Sequence, residues 1–125
     1  MSQPLQGKTT NQKVLLCEDE AIVALDIQIM LEDLGFDVIG PFSDMTSARD
    51  ALNAMKPDIA VLDVNLRDGQ VFPLADALKV DGVRLIFHSG HVDGAEINER
   101  YPGAETCMKP IDPSRLKSVL IECAS

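Results

Sequence analysis

Asp63 closes the apolar run Ile59-Ala60-Val61-Leu62, so a carboxylate stands where a buried strand reaches the edge of its sheet. Three more acids, Glu18-Asp19-Glu20, follow the run Val14-Leu15-Leu16-Cys17. Ser89 ends the run Leu85-Ile86-Phe87, and Lys109 follows Cys107-Met108 and precedes Pro110. Two carboxylates about 4 Å apart repel by roughly 4 kcal/mol at an effective dielectric near 20, so acids brought together require a proton or a cation. A hard divalent ion meets that need, because Mg2+ takes oxygen ligands, keeps waters, and commonly joins one or two carboxylates to a phosphate. Phosphoryl transfer wants positive charge on its equatorial oxygens, which the metal and the Lys109 ammonium supply, and Asp63 is then a candidate nucleophile.

These residues converge only if the chain folds so that its strands end on one edge. Short β-branched runs alternate with helical patterns, the mark of βαβ units and a parallel sheet, and ligands bind such sheets at the C-terminal ends of the strands. The pattern predicts strands at Lys13–Cys17, Asp37–Phe42, Ile59–Asp63, Arg84–His88 and Glu105–Met108. Pro41 lacks an N–H, which places the second strand at a sheet edge. Helices are predicted over Ala21–Leu34 with Gly35 as the stop, from a Ser43 cap to about Met55, around Pro73 to Val80, around Ala95 to Arg100, and from Asp112-Pro113 to about Cys123. A loop containing Arg67-Asp68-Gly69 joins the third strand to the third helix. Residues 1–12 read as a flexible N-terminal leader and residues 13–125 as one domain.

Composition narrows the function classes. A chain of 125 residues has room for one ordinary core, and 46% hydrophobic with 25% charged residues is the composition of a globular protein. No apolar run approaches the roughly 20 residues that span a bilayer, and the N-terminus has no signal-peptide core, so the expected location is cytoplasmic with no membrane partner. Eleven Lys and Arg against twenty Asp and Glu give a net charge of −9, which argues against nucleic acid as a partner. Three cysteines without a C-x-x-C pair suggest neither a zinc site nor a disulfide framework, and Cys17 and Cys107, which lie in apolar runs, are expected to be core thiols.

Four segments taken together, V-L-L-C-E-D-E (14–20), V-L-D-V-N-L (61–66), I-F-H-S-G (86–90) and M-K-P (108–110), resemble the receiver domain of bacterial response regulators. The resemblance covers about residues 13 to 123. It implies a doubly wound five-stranded parallel α/β sheet of strand order 2-1-3-4-5 with helices on both faces, as in flavodoxin and CheY. It further implies that Asp63 is the phosphoacceptor of a two-component phosphorelay and that Glu18, Asp19, Asp63 and the backbone carbonyl of Asn65 hold Mg2+, with Mn2+ as a substitute. Ser89 is similar to the hydroxyl residue that hydrogen-bonds the phosphoryl group, Lys109 to the lysine that pairs with it, and the Lys109-Pro110 peptide is usually cis in such domains. The implied partners are a histidine kinase or His phosphotransfer protein and a downstream protein that the sequence does not name. The domain would catalyse its own phosphorylation and dephosphorylation, as a stand-alone regulator.

Departures from the family pattern bear on the output. Thr106 stands three residues before Lys109, where many receivers carry an aromatic switch residue, and Arg67 stands where many carry proline. The Ser89-to-Lys109 connection looks short. Asn65 and His91 are expected to border the phosphoryl group and set how fast water reaches it. Helix Ala21–Leu34 carries two apolar stripes, Ile22/Leu25/Ile29 and Val23/Ile27/Met30/Leu34, wider than one packing face needs, which suggests a kinase-docking surface or a homodimer contact.

Each feature has a plainer alternative. Glu18-Asp19-Glu20 alone suits a solvated helix N-terminus, Asp63 alone a cap, and Ser89-Gly90 alone a turn. A haloacid-dehalogenase-type Mg2+-dependent phosphatase would want an acid at Asn65, and a flavodoxin-like cofactor binder would want hydroxyls at Glu18-Asp19-Glu20. A phosphorylation-independent adaptor on a receiver scaffold is the remaining rival, favoured by Thr106.

Overall fold

The computed structural model describes residues 12–90 and 94–124. The expected leader, apart from Gln12, and His91 lie outside the described residues. The elements are β1 (Lys13–Cys17), α1 (Ala21–Asp33), β2 (Asp37–Phe42), α2 (Met45–Leu52), β3 (Ile59–Asp63), β4 (Asn65–Leu66), β5 (Gly69–Gln70), α3 (Phe72–Val80), β6 (Arg84–Ser89), α4 (Gly94–Arg100), β7 (Glu105–Met108) and α5 (Pro113–Ala124). The main sheet has the order β2-β1-β3-β6-β7 with every pair parallel, which is the expected 2-1-3-4-5 order once the small β4-β5 hairpin is set aside.

Side-chain alternation along the strands builds two cores. Leu15, Cys17, Ala60, Leu62, Leu85 and Phe87 meet Leu74 and Leu78 of α3, Ile97 of α4 and Tyr101 on one face. Val14, Leu16, Val61, Ile86 and Cys107 meet Ile27 and Leu31 of α1 and Leu116, Val119 and Leu120 of α5 on the other. This period of two decides where the site residues stand. Glu18, Asp63, His88 and Lys109 each lie two residues beyond a member of the second core, namely Leu16, Val61, Ile86 and Cys107.

Local departures from the sequence reading have local causes. Asp44, not Ser43, caps α2: its carboxylate accepts from the Ser47 N–H at 2.7 Å, and the helix ends at Leu52 rather than near Met55. α1 stops at Asp33, with Leu34 as C-cap and Gly35 at φ +93° beyond it. The loop expected after β3 contains the β4-β5 hairpin, and Asp68 at its tip caps α2 from across the surface, accepting from Met45 N at 2.8 Å, Thr46 N at 3.2 Å and Thr46 Oγ1 at 3.1 Å. Those donors, led by the Met45 N–H, hold the Asp68 carboxyl below its ordinary pKa.

β2 is an edge strand, as Pro41 implied, and it is bulged. Its register against β1 slips between Leu15 and Cys17. Gly40 makes the slip possible: at φ +111° a Cβ would stand 2.8 Å from the Leu16 carbonyl oxygen and 3.0 Å from Phe42 N. The slip lets the Phe42 carbonyl accept from Glu18 N–H at 2.9 Å, which anchors the start of the acidic segment.

Candidate functional site at the C-terminal edge of the sheet

Glu18, Asp63 and Lys109, spaced far apart in the chain, meet at one point. Lys109 Nζ lies 3.0 Å from Asp63 Oδ2, 3.0 Å from Glu20 Oε1 and 3.4 Å from Glu18 Oε2. β7 delivers the lysine, and Lys109 N–H donates to the Ser89 carbonyl at 3.0 Å, so the segment after β7 is tied to the end of β6. Ser89 itself is buried at that end. The Lys109-Pro110 peptide is cis. Asp63 is only 2% exposed, and its Oδ1 accepts from the Asn65 N–H at 3.1 Å, which fixes the carboxylate against the start of β4.

The acidic triplet divides by burial. Glu18 turns inward and is 2% exposed, whereas Asp19 and Glu20 face solvent. Carboxylate oxygens of all three nevertheless lie within 4.8 Å of one another. Glu18 Oε2 accepts from Glu20 N–H at 2.9 Å. Its Oε1 stands 3.3 Å from Nε2 of His88, a buried residue whose backbone is registered beside Asp63.

The charges are unbalanced, with the Lys109 ammonium facing Glu18, Glu20 and Asp63. Burial, and then the neighbouring Asp63, push the Glu18 carboxyl up to about 8, against the pull of the Glu20 N–H. Burial and then Lys109 press the His88 imidazole down to about 3, so it is neutral. Lys109 is affected in the opposite sense. Burial disfavours its charge, but the hydrogen bonds it donates to Glu20 and Asp63 and the charge of Glu18 outweigh that and hold its pKa above the ordinary value.

An all-oxygen donor set that includes exposed carboxylates, under strain from like charges, fits a hard divalent cation. The carboxylates that lie within 4.8 Å of one another are those of Glu18, Asp19 and Glu20, and Asp63 is joined to them through Lys109. Asn65 begins β4 directly beyond Asp63, and its side chain is exposed.

Two residues carry more of the site than the sequence reading gave them. Glu20 contacts Lys109 as closely as Asp63 does. His88 sits beneath the cluster; its signal in the sequence was a polar residue inside the otherwise apolar strand Leu85-Ile86-Phe87-His88. Cys17 and Cys107 are buried as expected, Cys123 is buried as well, and burial pushes the Cys17 thiol up to about 12.

A parallel α/β sheet that gathers acids, a serine and a lysine at one edge is the arrangement of a phosphosignalling receiver. The chain belongs to the response regulator receiver domain family, whose profile matches residues 14–121. It is 30% identical over 111 residues to the phyllosphere-induced regulator PhyR of Methylorubrum extorquens, an alignment covering 86% of this chain and 42% of that protein. The chain thus spans less than half the length of this curated relative. Among solved structures, the receiver domain of Erythrobacter litoralis PhyR shares the fold, with a TM-score of 0.79 at 23% identity over 90% of this chain and 89% of that one. SdrG from Sphingomonas melonis Fr1 matches with a TM-score of 0.74 at 26% identity over 91% and 97% of the two chains. Among the described residues no helix is long and apolar enough to cross a membrane.

Proposed function

We propose that Asp63 accepts a phosphoryl group from a phosphohistidine of a histidine kinase or His phosphotransfer protein, in a Mg2+-dependent reaction that changes what the domain binds. The observation that carries this reading is the 3.0 Å contact between Lys109 Nζ and Asp63 Oδ2 beside the acidic triplet. An Asp63 oxygen attacks phosphorus, the P–N bond to the donor imidazole breaks, and an acyl phosphate forms. Glu18, Asp19, Asp63 and the backbone carbonyl of Asn65 would hold Mg2+, or Mn2+ in its place, and the ion would supply positive charge to the phosphoryl oxygens. Lys109 pairs with one of those oxygens and the Ser89 hydroxyl with another. The same residues serve loss of the group to water, with Asn65 bordering its path. The reaction belongs in the cytoplasm, where donor kinases present their phosphohistidines.

A groove of about 660 Å3 supports the identity of the donor. It opens beside Lys109 and is lined by Glu20, Val23, Asp26, Met30, Ile111 and Pro113, so it runs between α1 and the segment that leads into α5. Next to it α1 exposes Ile22, Leu25 and Ile29, with Ile22 at 79%. An apolar stripe on an exposed helix, beside a groove that opens at Lys109, suits a helical phosphodonor carrying its histidine to Asp63.

A second reading keeps the fold and drops the phosphoryl group: an adaptor that binds its partner unmodified. Thr106 favours it, since β7 lacks the aromatic that many receivers move on activation. One experiment separates the two. The protein is mixed with Mg2+ and acetyl phosphate; an acid-stable, base-labile adduct that Asp63→Asn cannot form is the expected result. No adduct in the parent protein, or an equal adduct in Asp63→Asn, overturns the phosphoacceptor reading.

A further inference from the structure

His88 is an expensive residue at its position. β6 is a central strand, and an imidazole buried to 1% exposure costs solvation that a valine or leucine would not. We propose that His88 is a positioning residue for phosphorylation: it takes hold of Glu18 when the phosphoryl group draws Lys109 away from that carboxylate. The inference rests on the reading of Asp63 as phosphoacceptor.

The two oxygens of Glu18 are used unequally. Oε2 accepts from Glu20 N–H at 2.9 Å and from Lys109 at 3.4 Å. Oε1 stands 3.3 Å from His88 Nε2, yet the two atoms are not aligned for a hydrogen bond. Among the described residues nothing else hydrogen-bonds Oε1 or either imidazole nitrogen. Donor and acceptor are therefore in contact, buried and unmet, and a small turn of the carboxylate joins them.

Lys109 decides when that turn occurs. Its ammonium is shared among Asp63, Glu20 and Glu18, and three phosphoryl oxygens arriving on Asp63 offer a more strongly charged set of acceptors. Glu18 is the longest of the three contacts, and its side chain, like that of Asp63 and unlike that of Glu20, is buried. If Lys109 left and nothing replaced it, the buried Glu18 side chain would lose one of the two donors to its Oε2 and would compete with the phosphoryl group for the lysine. The N–H on Nε2 of a neutral His88 is already in reach of Oε1. Closing that bond exchanges one hydrogen bond for another, with no proton transferred, and releases Lys109 to the phosphoryl oxygens.

The test compares the parent chain with His88→Leu and His88→Gln, the amide of Gln reaching about as far as Nε2. Initial labelling rate is measured against acetyl phosphate concentration at fixed Mg2+, with thermal unfolding of each variant alongside. We expect His88→Leu to lower the maximal rate about tenfold with the half-saturating donor concentration unchanged, and His88→Gln to restore the rate to within about threefold. His88→Leu should melt no lower than the parent, since it removes a buried unmet polar group. A Leu variant with the parent's maximal rate, or a well-folded Gln variant that fails to restore it, overturns the role of His88. The labelling of the parent and of Asp63→Asn keeps the two readings apart: a parent that takes no Asp63-dependent label defeats the phosphoacceptor reading itself. Should His88→Leu not fold, imidazole 15N shifts in a His91→Asn background decide the matter, because the chain then holds a single histidine. The proposal requires the proton on Nε2, and a proton on Nδ1 would overturn it.

Discussion

Two polar clusters flank β6, and they are built on opposite principles. On the α1 and α5 side, Glu18, Glu20 and Asp63 crowd around one ammonium, and Glu18 Oε1 and His88 are left without aligned partners. On the α3 and α4 side the polar groups around Tyr101 are paired with one another. Tyr101 Oη donates to Asp76 Oδ1 at 2.6 Å, and Arg100 pairs with Asp76 at 3.2 Å while its guanidinium lies 4.7 Å from the Phe72 ring centroid. The rings of Phe72, Phe87 and Tyr101 pack beneath them, with Phe87 and Tyr101 centroids 5.1 Å apart. One cluster is complete without a ligand and the other is not. Stability should therefore sit on the aromatic side and ligand response on the acidic side.

The largest test removes the aromatic keystone. Phe87 is fully buried between Phe72 and Tyr101, so Phe87→Ala should cost about 3–5 kcal/mol in chemical denaturation, as truncation of a core phenylalanine does. The increment gained from added Mg2+ should survive in whatever fraction remains folded. Next in size is that increment itself. At Mg2+ about 100-fold above its dissociation constant the folded state gains about 2.7 kcal/mol. Asp19→Asn should lose most of the gain while leaving the metal-free stability close to that of the parent. If both variants respond to Mg2+ alike, the division of labour between the two sides of β6 is wrong.

Much of this division could be read in the sequence, for a reason that also marks where reading stopped. Strand and helix boundaries depend on local patterns, so Glu105–Met108 and the Asp112-Pro113 start of α5 came out to the residue. Asp63, Glu18 and Lys109 were legible because each follows an apolar run, and parallel strands end on one edge. What depends on long-range register was not legible. The bulge at Gly40, the capping of α2 by Asp68, and the packing of Tyr101 against Phe87 join residues that no short pattern relates. Tyr101 explains part of the Thr106 departure. Thr106 is registered beside Phe87, and the aromatic bulk in that neighbourhood comes from Tyr101, just after α4, rather than from β7. His88 was visible as a residue, but its meaning needed the alternation that sets it on the face of Glu18 and Lys109.

A smaller effect, of opposite sign in two conditions, sharpens the contrast. Asp63→Asn removes one of several like charges from the pocket, so in metal-free buffer the variant should be more stable than the parent, by on the order of 1 kcal/mol. The lost pairing with Lys109 is replaced by its remaining contacts with Glu18 and Glu20. With Mg2+ present the order should invert, because the variant has lost a ligand. Denaturant midpoints with and without Mg2+ measure both halves, and a variant less stable in both conditions would mean that Asp63 contributes more as a structural partner of Lys109 than as a source of repulsion.

Acidification should move the two clusters in opposite directions. In metal-free buffer Glu18 titrates near 8 in the fold against 4.5 when free of it. A raised carboxyl favours the folded state fully below its unfolded value, and that favour is lost as pH rises through the folded one; lowering the pH from 8 toward 4.5 should therefore raise the melting temperature. Asp76 behaves in reverse. The Tyr101 hydroxyl, then Arg100, hold its carboxyl below the ordinary value, so its contribution is complete above the unfolded pKa of about 3.9 and disappears as pH falls through the folded one. Tyr101→Phe removes the principal donor to Asp76. Its melting temperature should trail the parent's by a few degrees at neutral pH, and the gap should close only below about pH 4. A gap that closes between pH 8 and 5 would place the titrating partner of Tyr101 in the acidic pocket, and the two sides of β6 would then be one coupled network.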